Sequence, residues 1–109
     1  MKLKEIITTL GLKEFAPSPD GEQDVTGGYT SDMLSDVIAN AEKDSVWVTI
    51  QTHSNVIAVA SLKDMAAVVM AGGHEPTEET IELAKKKDVC VLGTGRTAFE
   101  ITGELFKLI

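Results

Sequence analysis

Three short apolar runs, VWVTIQ at residues 46–51, AVVMA at 67–71 and VCVL at 89–92, are separated by stretches long enough to hold a helix. Connections of that length suit parallel strands joined by right-handed crossovers, not hairpins. The spacing therefore predicts a small three-layer α/β domain, a mainly parallel sheet with flanking helices. Ligands of such sheets collect at the carboxyl ends of the strands. That rule singles out the loops at 52–54, 72–77 and 93–97.

Between the first two runs lies NVIAVASL at 55–62, whose β-branched residues favour a strand. The linker 52–54 has no glycine and another apolar run follows closely, so a buried helix capped by Ser54 is expected instead of a hairpin. A helix apolar on nearly every side needs cover all round, which with the high apolar content points to a homodimer. Elsewhere the helical spacing is plain. Leu3, Ile6, Ile7 and Leu10 share one face of a helix that Gly11 ends. Residues 12–15 read as a short strand, and 16–23, with Pro17, Pro19, Asp20 and Gly21, as an exposed loop. A helix from near Asp32 should bury Met33, Leu34, Val37, Ile38 and Ala41, leaving Asp32, Asp36 and Asn40 in water. Thr77 is placed to cap a helix that turns Ile81, Leu83 and Ala84 inward and ends in the lysines of 85–87. Residues 97–108 form the last helix.

A chain of 109 residues, 43% of them hydrophobic, has material for one core and reads as one domain over 1–109. Its net charge of −7 argues against a nucleic-acid surface. One cysteine cannot form an internal disulfide, and Cys90, inside an apolar run, is expected as a buried thiol. The opening MKLKEIITTLGL meets a glutamate before any long apolar core, which marks an amphipathic helix and not a signal peptide. No stretch is long and apolar enough to span a bilayer, and a cytoplasmic protein without a membrane partner is expected.

Residues 24–28 read DVTGG and run at once into YTSD and an apolar-periodic segment. Adjacent Gly27 and Gly28 allow a positive φ or the close approach of a ligand, while Thr30 or Ser31 can cap the following helix. A capped helix start of this kind favours an anion, and a tight loop with no ligand is the alternative.

DVTGG followed by YTSDMLSDVIANA resembles the DRTGG domain, with Val25 where the family name carries arginine. Asp24, Thr26, Gly27 and Gly28 stand in the matching places. The stretch 68–94, VVMAGGHEPTEETIELAKKKDVCVLGT, is similar to the later part of such domains and to the amino-terminal domain of HPr kinase/phosphorylase, which shares their fold. The resemblance runs from about Asp24 to the end and supports the helix at 55–62. It implies an accessory or regulatory module, of the kind found beside nucleotide-binding CBS pairs or on phosphotransacetylases, that associates in pairs. It does not imply kinase activity, because the catalytic domain has no counterpart here and no GxxxxGK[ST] loop occurs.

Other motifs are weaker. GTGRTA at 93–98 fits a dinucleotide-binding GxGxxG with alanine last, yet too little chain follows to supply the second strand and the ribose-binding acid. Two readings stand: a tight turn with Arg96 solvated, or Arg96 holding a phosphate or carboxylate. His53, His74 and Cys90 match no zinc spacing, so no metal site is assigned. Glu75, Glu78 and Glu79 complement a helix amino terminus, and no serine sits in a nucleophile elbow. No catalytic residue and no cofactor is identified. The expected function is thus a non-catalytic regulatory or interaction module, sensing a small anionic metabolite or nucleotide and open to a protein partner. Its ligand groups are expected to be Asp24, Thr26, Gly27, Gly28, Ser31, His53, Gly72, Gly73 and Arg96. The alternatives are a small enzyme using His53 and Glu75, or a purely structural dimerisation domain. Whether the DVTGG turn joins the other loops depends on strand order.

Overall fold

Alternation along the strands decides how they are covered. Val46, Val48, Ala67, Val69 and Leu92 belong to one buried cluster, while Trp47, Val68, Met70 and Val91, their immediate neighbours, belong to another. In this computed structural model, which describes residues 1–109, the two clusters lie on opposite faces of a five-stranded sheet. Both faces being buried explains why these runs are apolar at every position.

The elements follow in the order α1 (Leu3–Leu10), β1 (Lys13–Ala16), β2 (Gly27–Thr30), α2 (Leu34–Asn40), β3 (Ser45–Thr49), α3 (Ser54–Leu62), β4 (Ala67–Met70), α4 (Glu78–Lys86), β5 (Val91–Gly93) and α5 (Ala98–Leu108). The strand order is β1-β5-β4-β3-β2, with β2 to β5 parallel and β1 antiparallel to β5. Leu3, Ile6 and Leu10 of α1 join Ile101 and Leu105 of α5 on one face. Val37, Val56, Ile57 and Ala84, from α2, α3 and α4, cover the other. The expected three-layer α/β architecture is present. No helix is long and apolar enough to cross a membrane.

Several local expectations need correction. The DVTGG segment is not a turn. Gly27 and Gly28 begin β2 and pair with Ser45 and Val46 of β3, and neither has a positive φ. Nor does Ser31 or Thr30 cap α2, whose N-cap is Met33 without a side-chain hydrogen bond. Ser31 instead accepts the Met33 amide on its hydroxyl (3.1 Å) and the Trp47 indole N–H on its carbonyl (2.8 Å). Asp32 Oδ1 accepts from Thr49 Oγ1 at 2.7 Å and from the Ile50 amide at 2.9 Å, which fastens the start of α2 to the end of β3. Met33 and Ile38 are exposed, because α2 is only seven residues long and turns just Leu34, Val37 and the following Ala41 inward.

The segment 55–62 is helical, as expected, but its cap is His53, whose Nδ1 accepts the Asn55 amide at 3.2 Å. Val56, Ile57, Val59 and Ala60 are buried within the chain, packed in the cluster shared with α2 and α4, while Leu62 is exposed. The cover that α3 requires is thus largely intramolecular. Thr77 caps α4 as expected, and Thr97 is the cap of α5, completing a capping box with Glu100. Val25 is buried against the α1 face of the sheet.

Candidate ligand site at the carboxyl edge of the sheet

Parallel pairing of β2 with β3 fixes where the expected ligand groups go. Asp24, Thr26 and Gly27 lie at the amino end of β2, across the sheet from the loops that follow β4 and β5. There Asp24 Oδ2 is 3.3 Å from Lys2 Nζ, and Thr26 donates its hydroxyl to the Lys43 carbonyl at 3.1 Å. The cleft beside Thr26 and Gly27 is lined by Asn40 and Glu42 and has no Lys, Arg or His in its wall. Ser31 lies beyond the carboxyl end of β2, its hydroxyl committed to the Met33 amide.

The carboxyl edge gathers a different set. Because β1 runs antiparallel to β5, with Lys13 opposite Gly93, its amino end lies beside the loops after β4 and β5. These three segments enclose a cavity of roughly 500 Å³ lined by Lys13, Phe15, His74, Glu75, Arg96 and five small residues at 11, 73 and 93–95. Lys13 Nζ stands 4.8 Å above the Phe15 ring and 3.6 Å from Glu75 Oε2, an exposed and therefore weak pair. Phe15 lies against Gly93, at the place a Cβ would occupy.

The glycine amides expected to receive an anion are already used. Gly72, at φ 72°, donates to the Arg96 carbonyl at 2.7 Å, and Gly73, at φ 75°, to the Thr94 carbonyl at 2.9 Å. The left-handed turn thus stitches the β4–α4 loop to the β5–α5 loop. Arg96 is neither simply solvated nor free: its Nη1 donates to the Leu10 carbonyl at 2.9 Å and to Thr94 Oγ1 at 3.3 Å, and its Nε lies 3.1 Å from Glu104 Oε2. It ties α1, the β5–α5 loop and α5 together at the rim of the cavity. The donors that remain are the Lys13 ammonium, the His74 ring and the amide of Gly95, which has no acceptor in the chain.

His53 lines a separate cleft with Thr52, Ser54, Thr77, Glu79 and Thr80, so His53 and Glu75 share no cavity in which to act on one substrate. Cys90 is buried, and loss of hydration, assisted by the charge of Glu14, pushes its thiol up to about 12. No three His, Cys, Asp or Glu side chains converge as a ligand set for a metal. Lys13 and Phe15 were missed as site residues because a strand pairing across almost the whole chain brings them here.

Sheet and layers define an α/β module whose parallel strands are closed on one edge by an antiparallel one. Among solved structures it is similar to the CBS and DRTGG domains of the regulatory region of Clostridium perfringens pyrophosphatase, crystallised with the activator diadenosine tetraphosphate, with a TM-score of 0.72 and 20% identity. The match covers 95% of this chain and 45% of that one, so the chain spans less than half of its neighbour. At that identity the likeness is one of fold. No family model and no curated protein matches the sequence.

Proposed function

We propose that residues 1–109 are one DRTGG-type domain, similar in fold to the amino-terminal domain of HPr kinase/phosphorylase, that acts as a non-catalytic regulatory module. In this reading it works in the cytoplasm as a homodimer and takes a small anionic metabolite or nucleotide in the carboxyl-edge cavity. One observation carries it: in a chain of net charge −7, Lys13, His74 and the Gly95 amide gather around a single cavity, with the internally bonded Arg96 at its rim and Glu75 the one carboxylate in its lining. Phe15 adds an aromatic surface there. The similar regulatory region was itself solved with a nucleotide activator, which fits the same class of ligand.

Thermal denaturation with inorganic phosphate, ATP and diadenosine tetraphosphate tests the reading. At least one should raise the melting temperature of the wild type, and Lys13→Ala with His74→Ala should weaken that ligand about tenfold or more, roughly one lost charge-assisted hydrogen bond. Without ligand the variant should melt like the wild type, since both side chains are exposed. If none of the three ligands shifts the transition, the chain is a structural pairing domain and not a sensor.

A further inference from the structure

The outer face of α5 is apolar although nothing in the chain covers it. Phe99 is 89% exposed and Phe106 85%, and their seven-residue spacing sets both on one stripe with Gly103 between them. The stripe continues sideways onto β2, where Thr102 and Thr30 share a hydrogen bond of 2.8 Å and an apolar cleft of roughly 280 Å³ opens beside Phe106. The two edges of the sheet differ in the same sense. Strand β1 carries Lys13 and Glu14, has an irregular register with β5 and is followed by Pro17, all features that block further pairing. Strand β2, GGYT, carries neither charge nor proline.

We infer that this face is the dimer interface, occupied by the α5 stripe of a second copy packed antiparallel across a two-fold axis near Gly103. Charge selects that arrangement. Two copies of a chain with net charge −7 repel each other unless they meet where no carboxylate is brought against another. Glu100 and Lys107 lie on the same flank of the stripe, one toward each end of α5. A two-fold axis between them therefore sets Glu100 of each copy beside Lys107 of the other. Gly103, with nothing within 4 Å of its Cβ position, leaves room for the close approach. Area agrees as well: a stable dimer needs about 600–1,000 Å² from each copy. Two nearly bare phenylalanines supply on the order of 300 Å² of that, before the cleft and the β2 edge are added.

This surface rests on the homodimer reading above, and sedimentation equilibrium at micromolar concentration separates the two. A wild type that stays monomeric overturns both. If the wild type is a dimer, Phe99→Asp with Phe106→Asp should raise its dissociation constant by at least about a hundredfold, as loss of paired aromatic anchors does. Both side chains lie outside the core, so the far-ultraviolet circular dichroism should be unchanged. A double variant that dimerises like the wild type overturns the surface while leaving the pairing intact. A second measurement does not depend on the phenylalanines. Cys90 is buried, so Gly103→Cys introduces the one accessible thiol, and mild oxidation should give a covalent dimer on a non-reducing gel. Failure to cross-link in a dimeric sample likewise removes this surface.

Discussion

Gly93 and Gly28 look alike in sequence and differ in what a side chain would meet. A Cβ at Gly93 overlaps the Phe15 ring, which is hemmed in by Lys13 above it. Gly93→Ala should therefore displace Phe15 from the cavity wall and cost about 1–3 kcal/mol, the range for overpacking a filled site. At Gly28 the same atom lies 3.5 Å from the Val46 carbonyl, an ordinary contact, and the residue sits in a strand with no positive φ. Gly28→Val should be neutral or stabilising, because valine suits an extended edge position and reaches toward the apolar cleft against α5. Urea midpoints of the two variants test the contrast. Equal losses would mean that Gly28 is held in a turn after all. Sequence alone set both glycines in tight turns, since Gly-Gly is a turn signal and nothing near Gly28 announces that β3 will take the segment as its neighbour.

At the scale of elements, each return from a helix to a strand uses the same device. Gly11 before β1 has φ 59°, Asp44 before β3 has φ 64°, Asp64 before β4 has φ 51° and Asp88 before β5 has φ 57°. Aspartate tolerates the left-handed region better than most residues but still bears strain there. Asp88, whose side chain is exposed, is the clean place to test it: Asp88→Gly should gain about 0.5 kcal/mol, and Asp88→Val should lose about 1–2 kcal/mol, read from urea unfolding. If valine is tolerated, the backbone there is not held left-handed. The sequence carries the pattern, because the aspartates of the Lys-Asp pairs at 43–44, 63–64 and 87–88 each stand one to three residues before an apolar run. Elements with strong local signals were legible: α1, α4 and α5 as helices from apolar spacing and end residues, and the three buried strands from their apolar runs. Strand β2 was not: with GGYT half exposed, only tertiary pairing makes it a strand. The cavity was half legible. Its glycine loops announce themselves after β4 and β5, whereas Lys13 and Phe15 arrive through an antiparallel pairing that no local pattern encodes.

Over the whole molecule, titrating groups define the pH range in which the fold holds. On the acid side, Asp36 is held below the usual carboxylate range by hydrogen bonds led by that of Tyr29, and Glu100 by the Thr97 backbone amide. A depressed carboxyl contributes stability that is present above its unfolded pKa and lost as pH falls through the folded one, so the acid limb begins below about pH 4. On the alkaline side the sign reverses, and burial dominates. The Cys90 thiol is pushed from its ordinary 9.0 up to about 12, because ionising it places a charge in the apolar cluster beneath α1 and α5. A raised group contributes stability that is complete below the unfolded pKa and is lost as pH climbs toward the folded one, since the unfolded thiol then ionises while the buried one does not. Stability should therefore begin to fall near pH 9, ahead of Tyr29 and Lys4, whose ordinary values of 10.0 and 10.5 are raised by hydrogen bonds to Asp36 and Glu22. Cys90→Val keeps a side chain of similar bulk and removes the proton. In a series of urea midpoints against pH, this variant should hold its plateau to about pH 10, where Tyr29 begins to titrate in the unfolded chain, with its acid limb unchanged. An alkaline onset that stays near pH 9 in the variant would show that the buried thiol does not set the upper limit of stability.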